Sequence, residues 1–378
     1  MTPKLAAFFQ KQDSDVFLFA KGRVALYALL KAIGIGKGDE VICSGYTCVM
    51  VPSAPKFLGA VCRYADIDPQ TYNISMHGLE KAYTHKVKAV IVQHTYGIAQ
   101  NMDEIAAWAF DKGIPVIEDC CHAFGSRWKG QLCGTFGIGS FFSGQWNKPF
   151  STGLGGILLV NDDEVLAEVQ ALYASILKPS DLEETRIGMQ IRVYNALVNP
   201  RTVSIITRAY RMLSRMGLAI GSSSNDELAG EMPRDYFKSM AAAQIEEGTK
   251  NLANIDKLIA HRKTITGLYD RELANAGFQP LRQHKDADNV ILRYPVRVAD
   301  KKELLEKALK KGVEIGSWFE IPLHPEGTDM QKFGYTDGMC PEAEKACREV
   351  VNLPTHLKID ESEAVRVIDF LRRFARSV

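Results

Sequence analysis

The first part of the chain alternates short β-rich apolar runs with stretches of helical periodicity, the pattern of a wound, mainly parallel sheet. Seven runs read as strands: Val16 to Phe19, Glu40 to Cys43, Val61 to Tyr64, Ala89 to Gln93, Val116 to Glu118, Gly139 to Phe142 and Gly156 to Val160. Between the first two, Ala25, Leu26, Leu29, Leu30 and Ile33 recur at the steps of a core-facing helix. A second zone opens near Met240 with one long amphipathic helix carrying Leu252, Ile255, Leu258, Ile259, Ile265 and Leu268. A strand (Asn289 to Val296), a helix (Lys302 to Lys311), a short strand and a C-terminal helix with Ala364, Val367, Ile368 and Leu371 follow. The pattern predicts a large α/β domain over residues 1–250 and a smaller α+β domain over 251–378.

One segment differs from both zones. Residues 186–225 carry six arginines (Arg186, Arg192, Arg201, Arg208, Arg211, Arg215) and no acidic residue. Val203, Ile206, Tyr210, Leu213 and Met216 recur there at three- and four-residue steps, which predicts a basic amphipathic helix within an insertion. Two readings are open for it: a helical lid or dimer arm, or a grip on an anionic partner such as a nucleotide diphosphate, an acidic carrier protein or a membrane surface.

Composition narrows the class. The 378 residues include 46 Lys plus Arg and 45 Asp plus Glu, a net charge of +1 that argues against a general nucleic-acid binder. The start, MTPKLAAFFQKQDSDVF, lacks the basic, apolar and small-residue succession of a secretory signal, and no apolar run reaches the length of a membrane span. The 8 cysteines show no paired C-x-x-C spacing, so free thiols in a reducing cytoplasm are expected rather than disulfides or a metal site. Neither a P-loop nor an H-E-x-x-H motif is present.

In an open α/β sheet, ligands bind beyond the carboxyl ends of the strands. That rule selects Ser44–Cys48, His94–Gly97, Asp119–His122 and Ser143–Lys148. Asp119 ends the run Val-Ile-Glu-Asp, where a buried carboxylate needs a cation or several donors; it reads equally as a helix cap or as a functional acid. Lys148 sits among aromatics and glycines, where most lysines would be solvated but a desolvated one becomes a nucleophile and base. Gly22 opens the first helix, whose free N–H groups suit a phosphate. A lysine, a carboxylate and a phosphate cradle together suit pyridoxal phosphate (PLP).

Six ordered blocks then carry a resemblance: Gly-Asp-Glu-Val-Ile at 38–42, Asp-Ile-Asp-Pro with Thr-Tyr-Asn-Ile at 66–74, and Ile-Glu-Asp-Cys-Cys-His-Ala-Phe-Gly at 117–125. Phe-Phe-Ser-Gly-Gln-Trp-Asn-Lys with Gly-Leu-Gly-Gly at 141–156, Ile-Pro-Leu-His at 321–324, and Cys-Pro-Glu-Ala-Glu-Lys with Asn-Leu-Pro at 340–354 complete them. The chain resembles the DegT/DnrJ/EryC1/StrS family of PLP-dependent sugar aminotransferases, over most of its length outside the basic segment. The resemblance implies the aspartate-aminotransferase (type I PLP) fold and a homodimer. It implies Lys148 as the lysine that bonds the cofactor aldehyde and shuttles the proton, and Asp119 as the partner of the ring nitrogen. His122 falls where the family has a glutamine donating to the phenolic oxygen; a histidine can donate there too, and a charge on it would alter that oxygen's pKa. Ser143 and the Gly22 and Arg23 amides would hold the phosphate. Tyr96 and His324 are the substrate candidates.

Three departures stand beside it. Cys48 occupies the place of a ring-stacking aromatic residue. Phe237 stands where the partner subunit's phosphate-binding asparagine is expected, with Arg234 or Lys238 as candidate substitutes. The stretch ahead of Gly22 is short, so part of the substrate wall is expected to be missing. The implied activity is amino transfer from L-glutamate or glutamine to a nucleotide-linked or otherwise anionic keto sugar. The alternatives are a related sugar dehydratase, which carries histidine in place of Lys148, and a weakly catalytic assembly protein recruited through the basic helix.

Overall fold

In the computed structural model, which describes residues 1–146, 148–198, 202–216 and 219–377, all seven expected strands join one sheet. They are β1 (Val16–Phe19), β2 (Glu40–Ser44), β3 (Val61–Ala65), β4 (Val87–Gln93), β5 (Val116–Asp119), β6 (Gly139–Gln145) and β7 (Leu154–Val160). Their order across the sheet is β1-β7-β6-β5-β4-β2-β3. Only β7 runs against its neighbours, so the six other strands deliver their carboxyl ends to one edge. Apolar cores lie on both faces of the sheet, which is why its strands read as nearly unbroken apolar runs.

Helix α1 (Gly22–Ala32) buries the predicted stripe, and Ile33 falls just beyond its end as the C-cap. Its start lies hard against the sheet. A Cβ on Gly156 would come within 2.5 Å of the Gly22 nitrogen and 2.3 Å of the Lys21 carbonyl, so only glycine lets the helix begin there. The basic segment contains α2 (Asp181–Leu197) and α3 (Val203–Arg215). Asn147 and Arg201, and the side chains of Val203, Arg211 and Arg215, lie outside the described residues.

The single long helix expected after Met240 is two helices, α4 (Ala242–Leu252) and α5 (Ile255–Asn275). Leu252 and Ile255 enter the core beneath the sheet, whereas Ile265 and Leu268 enter the C-terminal core, and one straight helix cannot face both. The periodicity hides the break because positions 252 and 255 keep a helical spacing. The strand expected from Asn289 is shorter: β8 (Arg293–Arg297) pairs antiparallel with β9 (Val350–Pro354). Upstream of it, Val290 and Leu292 donate instead to the Ser126 hydroxyl at 2.9 Å and the Tyr96 carbonyl at 2.8 Å.

Helices α6 (Lys301–Lys311), α7 (Pro341–Glu349) and α8 (Glu361–Phe374) complete the C-terminal part. The sequence reading missed α7. Its start is a proline in the first turn, with Asp66 accepting the Glu342 and Ala343 amides at 3.0 Å each. The core of this part includes Tyr46, Tyr72 and Tyr96 from the loops at the sheet's carboxyl edge, so it closes over that edge. Among the described residues, no helix is long and apolar enough to cross a membrane.

Candidate active site

A cleft opens at this edge, lined by Gly22 and Arg23, Cys48, Asp119 and His122, and Ser143 and Lys148. All seven residues picked from the sequence as cofactor contacts therefore meet in one place, although they come from four separate stretches. Asp119 ends β5, where its carboxylate accepts the Cys121 amide at 2.9 Å. Burial pushes its pKa up, against the pull of that amide and of the Lys148 charge. Lys148 follows β6 in a turn closed by its own amide on the Gln145 carbonyl at 2.9 Å. Burial is also the main influence on Lys148 and lowers its pKa, with Arg293 adding to the shift and Cys121, Cys48 and Asp119 opposing it. Desolvation thus favours the neutral amine, the form that attacks a carbonyl.

The ammonium of Lys148 sits 4.8 Å from the centroid of the Trp318 ring. The same indole stacks on His122 at 5.6 Å and 17°. On its other side His122 stacks on Tyr96, and its Nδ1 accepts the Tyr96 amide at 3.2 Å. Burial first, then the charges of Lys148, Arg293 and His324, push the His122 pKa well below the usual value. The imidazole is therefore neutral with its proton on Nε2, a donor without a charge.

The third part is the start of α1. No side chain caps it, and Ser143 lines the cleft beside it. The Arg23 guanidinium turns to Glu227 at 2.8 Å and to the Ser222 carbonyl, so Arg23 offers the cleft its backbone amide. Free N–H groups at the positive end of a helix dipole form an anion site.

Residues 4–197 and 204–372 match the DegT/DnrJ/EryC1/StrS aminotransferase family. The chain belongs to that family. It is a PLP-dependent aminotransferase with the type I fold. The UDP-2-acetamido-2-deoxy-3-oxo-D-glucuronate aminotransferase of Pseudomonas aeruginosa is 28% identical over 354 residues, covering 92% of this chain and 83% of its own length. The spore coat polysaccharide biosynthesis protein SpsC of Bacillus subtilis is 28% identical over 385 residues, 98% of this chain and 89% of its own. Among solved structures, the aminotransferase TlmJ from Streptoalloteichus hindustanus superposes with a TM-score of 0.75 at 21% identity, over 98% of this chain and 88% of that one.

The residues of this family member fit PLP. An amine depleted of water, a buried carboxylate, a neutral N–H donor and an uncapped helix start converge, and the cradle at Gly22 is one that a Cβ on Gly156 would fill. Between positions 4 and 372 the family match leaves out only residues 198–203, which lie within the basic segment.

The remaining candidates divide. Cys48 lines the cleft, and its short strand pairs with that of His324. Tyr96 is fully buried, its hydroxyl bonded to Tyr46 at 2.7 Å and to the Trp318 carbonyl at 2.6 Å; it orients His122 and does not line the cleft. His324 pairs with Glu320 at 2.5 Å, its ring against Trp318 and Phe319, and does not line the cleft either. Phe237 packs on Phe19 and Tyr27. Lys238 is held by Glu183 at 2.5 Å and Asp235 at 2.7 Å, and Arg234 is exposed.

In the basic segment, α2 packs on the loop that carries Lys148: Tyr194 stacks on Trp146 at 4.5 Å and donates to its carbonyl at 3.2 Å. Tyr210 of α3 donates to the Ile220 carbonyl at 2.9 Å, while Met189, Leu197, Met212 and Met216 are exposed. Sequence reasoning missed Trp318 and Arg293. Trp318 lies just ahead of the recognised Ile-Pro-Leu-His block, and Arg293 interrupts the apolar run Val-Ile-Leu-Arg-Tyr-Pro-Val, a signal that was available.

Proposed function

We propose that this aminotransferase moves an amino group from L-glutamate or glutamine to the keto group of a nucleotide-linked sugar, in surface-polysaccharide or amino-sugar biosynthesis. The relatives named above, one acting on a UDP-linked oxo-glucuronate and one in spore coat polysaccharide synthesis, support a sugar as the acceptor. The observation that carries the reading is the desolvated Lys148 amine in the same cleft as Asp119, His122 and the uncapped start of α1. Lys148 also weighs against the dehydratase alternative.

Bound PLP supplies an electron sink for the charge left when a proton leaves the substrate carbon. The protein's part follows from its own residues. Lys148 takes and returns that proton at Nζ. Asp119 presents its carboxylate to the protonated ring nitrogen, and this cation lowers the cost that burial places on the carboxylate. His122 donates through Nε2, and the Gly22 and Arg23 amides with Ser143 hold the phosphate. Cys48 gives a thiol contact at the place the resemblance assigns to an aromatic ring. His324 remains a proposed substrate contact by its place in the family pattern.

The reading also includes a cytoplasmic homodimer, the division into residues 1–250 and 251–378, and a basic segment that serves either as a helical lid or dimer arm or as a contact for an anionic partner. The test is spectroscopic. Added PLP should give the wild-type protein a visible absorbance band that Lys148→Ala lacks, L-glutamate should bleach it, and a keto-sugar nucleotide should restore it. A wild-type protein without that band overturns the assignment.

A further inference from the structure

The basic segment returns to the cleft at its end. After α3 the chain runs through Ile220 to Ser224, and this loop is fixed from both sides. The Ile220 amide donates to Gln190 of α2 at 3.1 Å, and the Ile220 carbonyl accepts Gln190 at 3.2 Å and Tyr210 of α3 at 2.9 Å. At the other end the Ser224 amide donates to Glu227 at 2.7 Å, and the Glu227 amide donates to the Ser224 hydroxyl at 3.2 Å. Gly221, between them, lies so close to α3 that a Cβ there would come within 2.2 Å of the Ser214 Oγ.

The Arg23 guanidinium ties this loop to the start of α1, through Glu227 at 2.8 Å, the Ser222 carbonyl and the Ser223 hydroxyl at 3.5 Å. Ser222 consequently lines the same cleft as Gly22, Arg23 and Ser143. Its backbone is engaged by Arg23 and Tyr210, but among the described residues its hydroxyl has no hydrogen-bond partner. A serine hydroxyl rotates to suit an acceptor and donates one hydrogen to it. The cradle is short of such donors elsewhere. Phe237 stands where the resemblance expects the partner subunit's asparagine, and its ring packs on Phe19 and Tyr27. The Arg23 side chain is taken up by Glu227 and the loop. The terminal oxygens of a phosphate accept more hydrogen bonds than the Gly22 and Arg23 amides and the Ser143 hydroxyl supply.

We propose that the Ser222 hydroxyl donates to the cofactor phosphate, so that the end of the basic segment completes within one chain a cradle that the resemblance completes from a partner subunit. The Arg23 side chain is the positioning group that sets the loop. The inference rests on the proposed placement of the phosphate at the start of α1.

Affinities for PLP and for pyridoxal, which lacks the phosphate, are read from absorbance titrations of wild type, Ser222→Ala, Ser222→Thr and Arg23→Gln. Loss of a hydrogen bond to a charged acceptor predicts PLP binding weaker by about tenfold or more in Ser222→Ala, with pyridoxal binding unchanged. Unchanged pyridoxal binding also shows that the variants are folded. Ser222→Thr keeps the hydroxyl and should recover most of the loss. Arg23→Gln keeps the amide but releases the loop, so it should weaken PLP as well, and adding Ser222→Ala to it should then cost little more. A PLP affinity of Ser222→Ala within about twofold of wild type overturns the proposal. An equal loss for pyridoxal also overturns it, since the cleft as a whole would then have loosened. A wild-type protein that binds pyridoxal as tightly as PLP overturns the placement of the phosphate itself, and this inference with it.

Discussion

Glu118 immediately precedes Asp119 and is completely buried, so its replacement tests how the site is held in place. Its Oε1 accepts the amides of Phe136 and Gly137 at 2.7 and 3.0 Å; its Oε2 accepts the Gly134 amide at 2.7 Å and bonds His94 Nε2 at 3.0 Å. Glu118→Gln preserves shape and volume, but either orientation of the amide turns an NH2 group toward at least one backbone donor. Two hydrogen bonds to a charged acceptor are lost, at roughly 1.5–3 kcal/mol each, and the buried donors are left unpaired. The expected destabilisation is about 3–5 kcal/mol, a large part of the roughly 5–15 kcal/mol of a typical domain. Urea unfolding followed by tryptophan fluorescence measures it as a lower midpoint at unchanged slope. PLP affinity should fall in parallel, because Glu118 ties β5 to the loop over residues 134–137. A loss below about 1 kcal/mol would refute the reasoning, since it would mean that the donors re-pair with water at no cost.

Gly156→Ala should push the start of α1 off the sheet and weaken PLP binding by about tenfold, roughly 1.4 kcal/mol, while pyridoxal without phosphate binds as before; an absorbance titration with both compounds reads the difference. Glu227 is pushed up by burial but held below its ordinary 4.5 by the charges of Arg23 and Lys21. A depressed carboxyl pKa adds stability above the unfolded value that disappears as pH falls through the folded one. Glu227→Gln should therefore be less stable than wild type at pH 7, with the gap closing below about pH 4; unfolding curves across that range check the sign, and a gap constant with pH contradicts it.

Much of the site was legible because it lies where one rule places ligands. The strands were visible as apolar runs, and the chemistry of Lys148, Asp119 and Ser143 follows directly from which run each one ends. Gly22 was legible for the same reason, since a helix start after a strand has free amides whatever surrounds it. Trp318 and Arg293 were harder to see. They belong to the C-terminal part, and nothing local shows that its core folds over the sheet edge. Tyr96 shows the opposite failure: it sits at a strand end, yet its hydroxyl is taken up by Tyr46 and the Trp318 carbonyl. The split between α4 and α5 was hidden because an apolar stripe records that residues are buried, not which core receives them.

The sequence by itself determined the wound sheet, the family, and the lysine, carboxylate and glycine proposed to carry the chemistry, because these rest on short-range order along single strands and their ends. Only the tertiary structure decided the charge states and the walls of the site. Burial and neighbouring cations act through space to lower the pKa values of His122 and Lys148, which favours their neutral forms. The indole shared by Lys148 and Arg293 is brought there from a segment about 170 residues further along the chain than Lys148. Desolvation depends on everything packed around a group, and no pattern along one strand contains it.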